Sequence, residues 1–154
     1  MKALLLSTSL FLMASAAVAE DAAHLMTVNP DAISWQDSPA LQKGAQFANL
    51  YGDPTKPGLF VQRVKFPANF QVAPHIHPNV EAVVVLSGAT NIGEGDKFDK
   101  TKTHAMKAGS FYLNPAKHPH FVWTSEETVI QLSTNGPFSI EYVNPTDDPR
   151  RKAD

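Results

Sequence analysis

Between Leu59 and Phe66 the chain alternates, with Phe60, Val64 and Phe66 on one face and Val61, Arg63 and Lys65 on the other. A period of two is that of a β-strand with one face buried and one wet. Gln62 shares the face of Phe60 and Val64, so its amide points inward among apolar neighbours and becomes a candidate for a pocket wall. A second run, Ala82-Val83-Val84-Val85-Leu86, is apolar on both faces until Ser87-Gly88 breaks it, which predicts a central strand that needs cover on both sides. Further short strands are predicted at Phe70–Val72 running into His75, and across Gly88–Gly93, Ala105–Gly109, Ser110–Asn114, His120–Thr124, Thr128–Ser133 and Phe138–Val143. The glycines between them mark bends where a small barrel curls. About seven to nine short strands at close spacing, with scarcely any helix, predict an all-β barrel or sandwich.

The ends of the chain read differently. Residues 20–55 mix turn formers, such as Asn29-Pro30-Asp31, Asp37-Ser38-Pro39 and Gly52-Asp53-Pro54, with scattered apolar positions. They are expected to form an arm that wraps the barrel, with one short helical turn over Pro39–Gly44. The barrel itself is assigned to residues 56–145. Residues 146–154 are assigned to a C-terminal tail in which Arg150, Arg151 and Lys152 are solvated. At the other end, Met1-Lys2, an apolar run through Met13 and Ala17-Val18-Ala19 have the form of a secretory signal peptide over residues 1–19. The apolar run is shorter than the ~20 residues of a membrane-spanning helix. A periplasmic or secreted protein, free of the membrane after cleavage, is the expectation.

The 154 residues contain no cysteine, which excludes a disulfide framework and any thiolate metal ligand. A formal net charge of −2, with its one basic cluster at the tail, gives no reason to expect a nucleic-acid partner. No Ser-His-Asp order or phosphate-cradling glycine loop is present. What stands out is His75-Ile76-His77-Pro78-Asn79-Val80-Glu81, in which both histidines and the glutamate share strand parity. Two imidazoles and a carboxylate facing one interior are costly to bury unless a divalent cation satisfies them.

That spacing, His-x-His-x3-Glu-x6-Gly, resembles the first motif of the cupin superfamily, and Gly109-x5-Pro115-x4-His120 resembles the second. The resemblance covers about residues 69–124 and implies a jelly-roll β-barrel or sandwich in which His75, His77, Glu81 and His120 hold a single metal ion. It also implies a homodimer. In this chain Asn69 stands where the first motif opens with glycine, Lys117 replaces the glycine after Pro115, and Thr124 replaces a closing asparagine. These are turn and edge positions, so local turn geometry is what they put at issue. The segments Asp96–Asp99 and Tyr142–Arg150 resemble a branch of small single-domain cupins.

Nitrogen and oxygen donors without sulfur suit Zn, Fe, Mn, Ni or Cu. By parity Val64, Val83, Val85 and Val122 are expected to line a substrate pocket with Gln62, while Phe70, Tyr112 and Trp123 close its mouth. His118 is placed at the rim, and His24 and His104 are read as ordinary residues. Glu81, released from the metal, is the candidate general base. The resulting expectation is a metal-dependent, dioxygenase-like enzyme acting on a small enolisable or phenolic compound. Its alternative is a non-catalytic periplasmic cupin that binds a metal or small ligand.

The signal-peptide reading has a direct check. Protein recovered from its native secretory route should begin at Glu20 by intact-mass measurement, and a dominant species retaining residues 1–19 would show an uncleaved anchor instead.

Overall fold

The computed structural model describes residues 25–151; the leader read at 1–19, His24 and the last three residues lie outside the described residues. The predicted alternation becomes strands β1 (Gln36–Asp37), β2 (Gln46–Tyr51), β3 (Gly58–Phe66), β4 (Gln71–Ile76), β5 (Glu81–Ser87) and β6 (Ala89–Glu94). They are followed by β7 (Thr103–Lys107), β8 (Phe111–Asn114), β9 (His120–Trp123), β10 (Thr128–Gly136) and β11 (Glu141–Tyr142). Two antiparallel sheets result, in the orders β1-β2-β3-β10-β5-β8 and β11-β4-β9-β6-β7. The only helical elements among the described residues are short 3-10 turns at Pro30–Ala32, Lys100–Lys102 and Pro145–Asp147.

Strand β10 organises the first sheet. It pairs with β3 from Thr128↔Phe66 to Gly136↔Gly58, and on its other side sets Ile130 against Val85 and Leu132 against Val83. Inward residues therefore fall in rows: Phe60 and Val64 on β3, Ile130 and Leu132 on β10, Val83 and Val85 on β5. Val72, Ile92, Val122, Ile140 and Tyr142 meet them from the second sheet's side. With each such side chain contributing about 1.5–3 kcal/mol on full burial, this core holds together a chain that has no disulfide.

The N-terminal arm enters the sheet as well as flanking it, because β2 pairs along β3 with Phe47 opposite Val64. Pro39–Gly44 forms turns and not the expected helical turn. Ser38 N–H donates to the Ala45 carbonyl at 3.0 Å and Gly44 sits at φ 107°, so the loop closes on itself before a helix can propagate. The tail also departs from expectation. Arg150 Nη2 donates to the Ile140 carbonyl at 2.9 Å and its Nε reaches Asp148 Oδ1 at 2.8 Å, which docks it against the sandwich, whereas Arg151 is exposed.

Two of the three motif departures keep the backbone geometry that glycine would supply. Asn69 and Lys117 both adopt left-handed backbone, at φ 59° and 58°, in the places where glycine was expected. Asparagine tolerates that conformation; for lysine it costs about 1–2 kcal/mol. The turn at Lys117 is held in return by its N–H donating to the His77 carbonyl at 2.8 Å. Thr124 uses its hydroxyl twice, donating to the Pro67 carbonyl at 2.9 Å and accepting from Phe70 N–H at 3.3 Å. It thereby ties the β3–β4 turn to the end of β9.

One strand is inverted. On β8 the apolar Phe111 and Leu113 point out and are 59% and 52% exposed, while Tyr112 and Asn114 point in. On the outer face Phe111 and Leu113 lie opposite Val84 and Ala82 of β5.

Candidate metal centre

His75 lies near the end of β4 and His120 opens β9, and the two are direct cross-strand partners. His77 follows two positions beyond His75, so the pleat carries it to the same side. The three rings approach with centroids 4.2 Å apart for His75 and His120, 4.9 Å for His75 and His77, and 5.3 Å for His77 and His120. One nitrogen from each falls within 4.8 Å of the others, and all three residues are buried.

Backbone carbonyls decide the proton positions. His75 Nδ1 meets the Ala73 carbonyl at 2.8 Å, His77 Nδ1 the Ser139 carbonyl at 2.8 Å, and His120 Nδ1 the His118 carbonyl at 3.0 Å. A carbonyl only accepts, so each Nδ1 carries the hydrogen and each neutral ring keeps an Nε2 lone pair. Burial, then the neighbouring His120 and His77, hold His75 well below the usual imidazole range. His120 is lowered as well, first by burial, although the His118 carbonyl and Glu81 pull it upward. Protonation of His75 and His120 is thus disfavoured.

Glu81 opens β5, with its Oε2 3.8 Å from His77 Nε2. Asn114, its cross-strand partner on β8, donates from Nδ2 to the same oxygen at 2.7 Å. A carboxylate oxygen and a ring nitrogen thus face each other across a gap that a divalent cation would fill. Three neutral imidazoles and one carboxylate, each oriented by a second hydrogen bond, fit such an ion. The tight cluster consists of the three histidines; Glu81 stands at its edge.

The centre opens into a cavity of about 110 Å³. Of the expected pocket residues, Gln62, Val64 and Val122 line it, as do Glu81 and the three histidines. Gln62 also donates to Asn49 Oδ1 at 2.7 Å. Val83 and Val85 do not line it. They point inward as their parity requires, but at 1% exposure each is sealed within the core and leaves no surface for a ligand. His118 belongs to a separate depression beyond His120, where its Nε2 lies 3.2 Å from Glu94 Oε2; with Pro119 between them, its side chain does not follow that of His120 into the cavity. The exposed His104 borders the same depression.

Two of the three residues expected at the mouth are elsewhere. Phe70 stacks on Phe66 in the core at 5.5 Å. Trp123 is on the outside of its sheet, with Lys100 Nζ 4.8 Å from its ring and its Nε1 donating to Thr103 Oγ1 at 3.3 Å. Tyr112 does line the cavity. Sequence reasoning missed Asn114, whose signal was a polar residue at inward parity on β8. It also missed Phe138, which stacks on His77 at 4.5 Å, and the contribution of Ser38, Ala40 and Leu41 from the arm. Only the folded chain brings those segments to the site.

The architecture is shared with solved proteins. The polyketide cyclase RemF from Streptomyces resistomycificus superposes with a TM-score of 0.66 at 16% identity, over 82% of this chain and 91% of that one. A candidate acetylacetone dioxygenase from Methylibium petroleiphilum PM1 gives 0.63 at 18% identity, over 82% and 86%. An RmlC-like cupin from Shewanella frigidimarina gives 0.57 at 12% identity, over 73% and 91%. Such identities establish the fold alone. By sequence, Germin-like protein 3-1 of rice is 28% identical over 80 residues, which is 51% of this chain and 36% of that relative's length. These likenesses show the cupin fold. Within that class the chain belongs to the family described as Domain of unknown function (DUF4437), whose profile matches residues 7–141.

Because Asn114 orients Glu81 beside the imidazoles, Asn114→Ala should weaken metal binding by about 10- to 100-fold. Competition titration against a chelator reads this directly, and an unchanged affinity would remove Glu81 and its partner from the centre.

Proposed function

We propose that the protein is a metal-dependent, dioxygenase-like enzyme that acts on a small enolisable compound, with one divalent ion held by His75, His77, Glu81 and His120. The observation that carries this reading is the convergence of three buried imidazole nitrogens on one cavity, with the Glu81 carboxylate at their edge. Zn, Fe, Mn, Ni and Cu all suit this donor set. The bound ion supplies Lewis-acid activation of an oxygen ligand and, for the redox-active metals, an electron couple.

The remaining work falls to the protein. Val64, Val122, Leu132, Phe138 and Ile140 line the cavity with apolar surface. Glu81, fixed through Oε2 by Asn114, keeps Oε1 to accept the proton from an acidic carbon next to a carbonyl. Size selects within the substrate class. At about 110 Å³ the cavity is of the order of the ~150 Å³ void that holds benzene, so it suits a compound of that size, and a short diketone or keto acid brings two oxygens that a metal centre can engage. Similarity of fold to the candidate acetylacetone dioxygenase supports the same choice.

Purified protein should carry one metal ion per chain by elemental analysis, and His75→Ala, Glu81→Ala and His120→Ala should each lose it. Loaded with each of the five metals in turn, it should consume dioxygen with acetylacetone or a related diketone. Val122→Trp should abolish this turnover by filling the cavity while metal content holds. Metal without turnover under any of the five ions would leave a binding cupin.

We also propose that two copies pair across the outer face of β5 and β8. Val84, Leu86, Phe111 and Leu113 form an exposed apolar row there, and an edge strand can meet its own copy about a two-fold axis. Sedimentation at micromolar concentration should show a dimer that Phe111→Glu dissociates; a wild-type monomer would overturn the pairing.

A further inference from the structure

The inverted strand β8 puts two polar side chains into the barrel, and only one of them has a role so far. Asn114 holds Glu81. Tyr112 stands two residues away on the same face, lines the same cavity and also borders the depression beneath His118. A residue needed only to fill space here would be served by phenylalanine, and a buried tyrosine hydroxyl normally finds a partner. Beside this phenol is Thr90, fully buried on β6, whose Oγ1 has no partner among the described residues other than the phenol. Thr90 lies behind the cavity wall and has the phenol oxygen as its acceptor, which leaves the phenol hydrogen free to donate into the cavity that Tyr112 lines.

The charge around the phenol agrees. Burial first, and then the negative charge of Glu81, hold its proton above the ordinary tyrosine range, with Thr90 pulling weakly the other way. At neutral pH the phenol is therefore a donor, and it looks into the cavity that Glu81 and the histidines share.

We infer that the Tyr112 hydroxyl donates a hydrogen bond to an anionic oxygen of the bound ligand, an enolate or a carboxylate, and that Thr90 donates in turn to the phenol oxygen. This rests on the proposed metal centre and names a ligand-binding residue for it. The polarised chain from Thr90 through Tyr112 strengthens the terminal bond to an anion more than to a neutral molecule. Selectivity for the deprotonated form of an enolisable compound follows, with Glu81 taking the proton and Tyr112 receiving the oxygen that bears the charge.

The test uses equilibrium binding and does not depend on turnover. Wild-type protein and the Tyr112→Phe and Thr90→Val variants are loaded with Cu(II), checked for metal content and thermal midpoint, and titrated with acetylacetone and with azide by absorbance. Tyr112→Phe should retain the metal and lose about tenfold or more in affinity for both probes. Thr90→Val should lose less, and the double variant should be no weaker than Tyr112→Phe, because the two hydroxyls act in series. Equal affinity in wild type and Tyr112→Phe overturns the inference, as does a metal-loaded wild type that binds neither probe. Should Tyr112→Phe fail to fold, an unchanged affinity in Thr90→Val overturns it instead. A wild type that takes up no metal fails earlier, and it overturns the proposed centre together with this inference.

Discussion

Three carbonyl oxygens, those of Ala73, His118 and Ser139, determine what the imidazoles can do. Each accepts the Nδ1 hydrogen of one ring, so the opposite nitrogens turn a common set of lone pairs toward Glu81. Two of these carbonyls lie two residues before the histidine they hold, on or next to the same strand. The third comes from the stretch between β10 and β11, far along the chain, and so makes the His77 ring depend on closure of the sandwich. A site built this way forms with the barrel and not ahead of it. The long β3–β10–β5 ladder and its apolar rows are what bring Ser139 and Phe138 to their places.

Much of the site was legible because strand parity is a local property. His75, His77 and Glu81 announce a shared face by spacing alone, and His120 enters through the second motif. Gln62, Val64 and Val122 follow from the same alternation. Parity tells which side a residue faces and says nothing of its depth, which is why Val83 and Val85 face inward yet are sealed in the core. Apolar character is the poorer guide: Trp123, of opposite parity to His120 and Val122, lies on the outer face of β9 despite its aromatic ring. It fails again at β8, where the apolar residues face out. Contacts such as His77 with Phe138, or Tyr142 with the Ala40 carbonyl at 2.9 Å, join segments that no window of sequence contains together.

The motif departures teach a related lesson about backbone and side chain. Asn69 and Lys117 show that the fold demands a left-handed residue at both turns and accepts a less suitable one at the second. The Lys117 N–H bonded to the His77 carbonyl explains why: the turn carries a hydrogen bond into the ligand strand, and losing it would loosen His77 and the approach to His120. Thr124 serves a comparable purpose with a hydroxyl that both donates and accepts. Strain at Lys117 is thus offset by a bond into the ligand segment, while Thr124 secures the opposite end of the β4–β9 pair.

Strand β8 carries a consequence for folding. A slip of one residue against β5 would, in a single copy, bury Phe111 and Leu113 and expose Tyr112 and Asn114, a gain of about 1.5–3 kcal/mol for each fully buried apolar side chain, offset in part by the lost Tyr112 ring. The native register is therefore locally frustrated, and it is retained by polar pins: Val85 N–H to the Ser110 carbonyl at 3.0 Å, Gly109 N–H to the Val85 carbonyl at 2.8 Å, and Asn114 to Glu81. Conditions that weaken those pins while sparing apolar contacts should populate the shifted strand as a trapped, site-dead conformer. Such a conformer would be compact and well buried, so a measure of folding would pass it while a measure of metal binding would not.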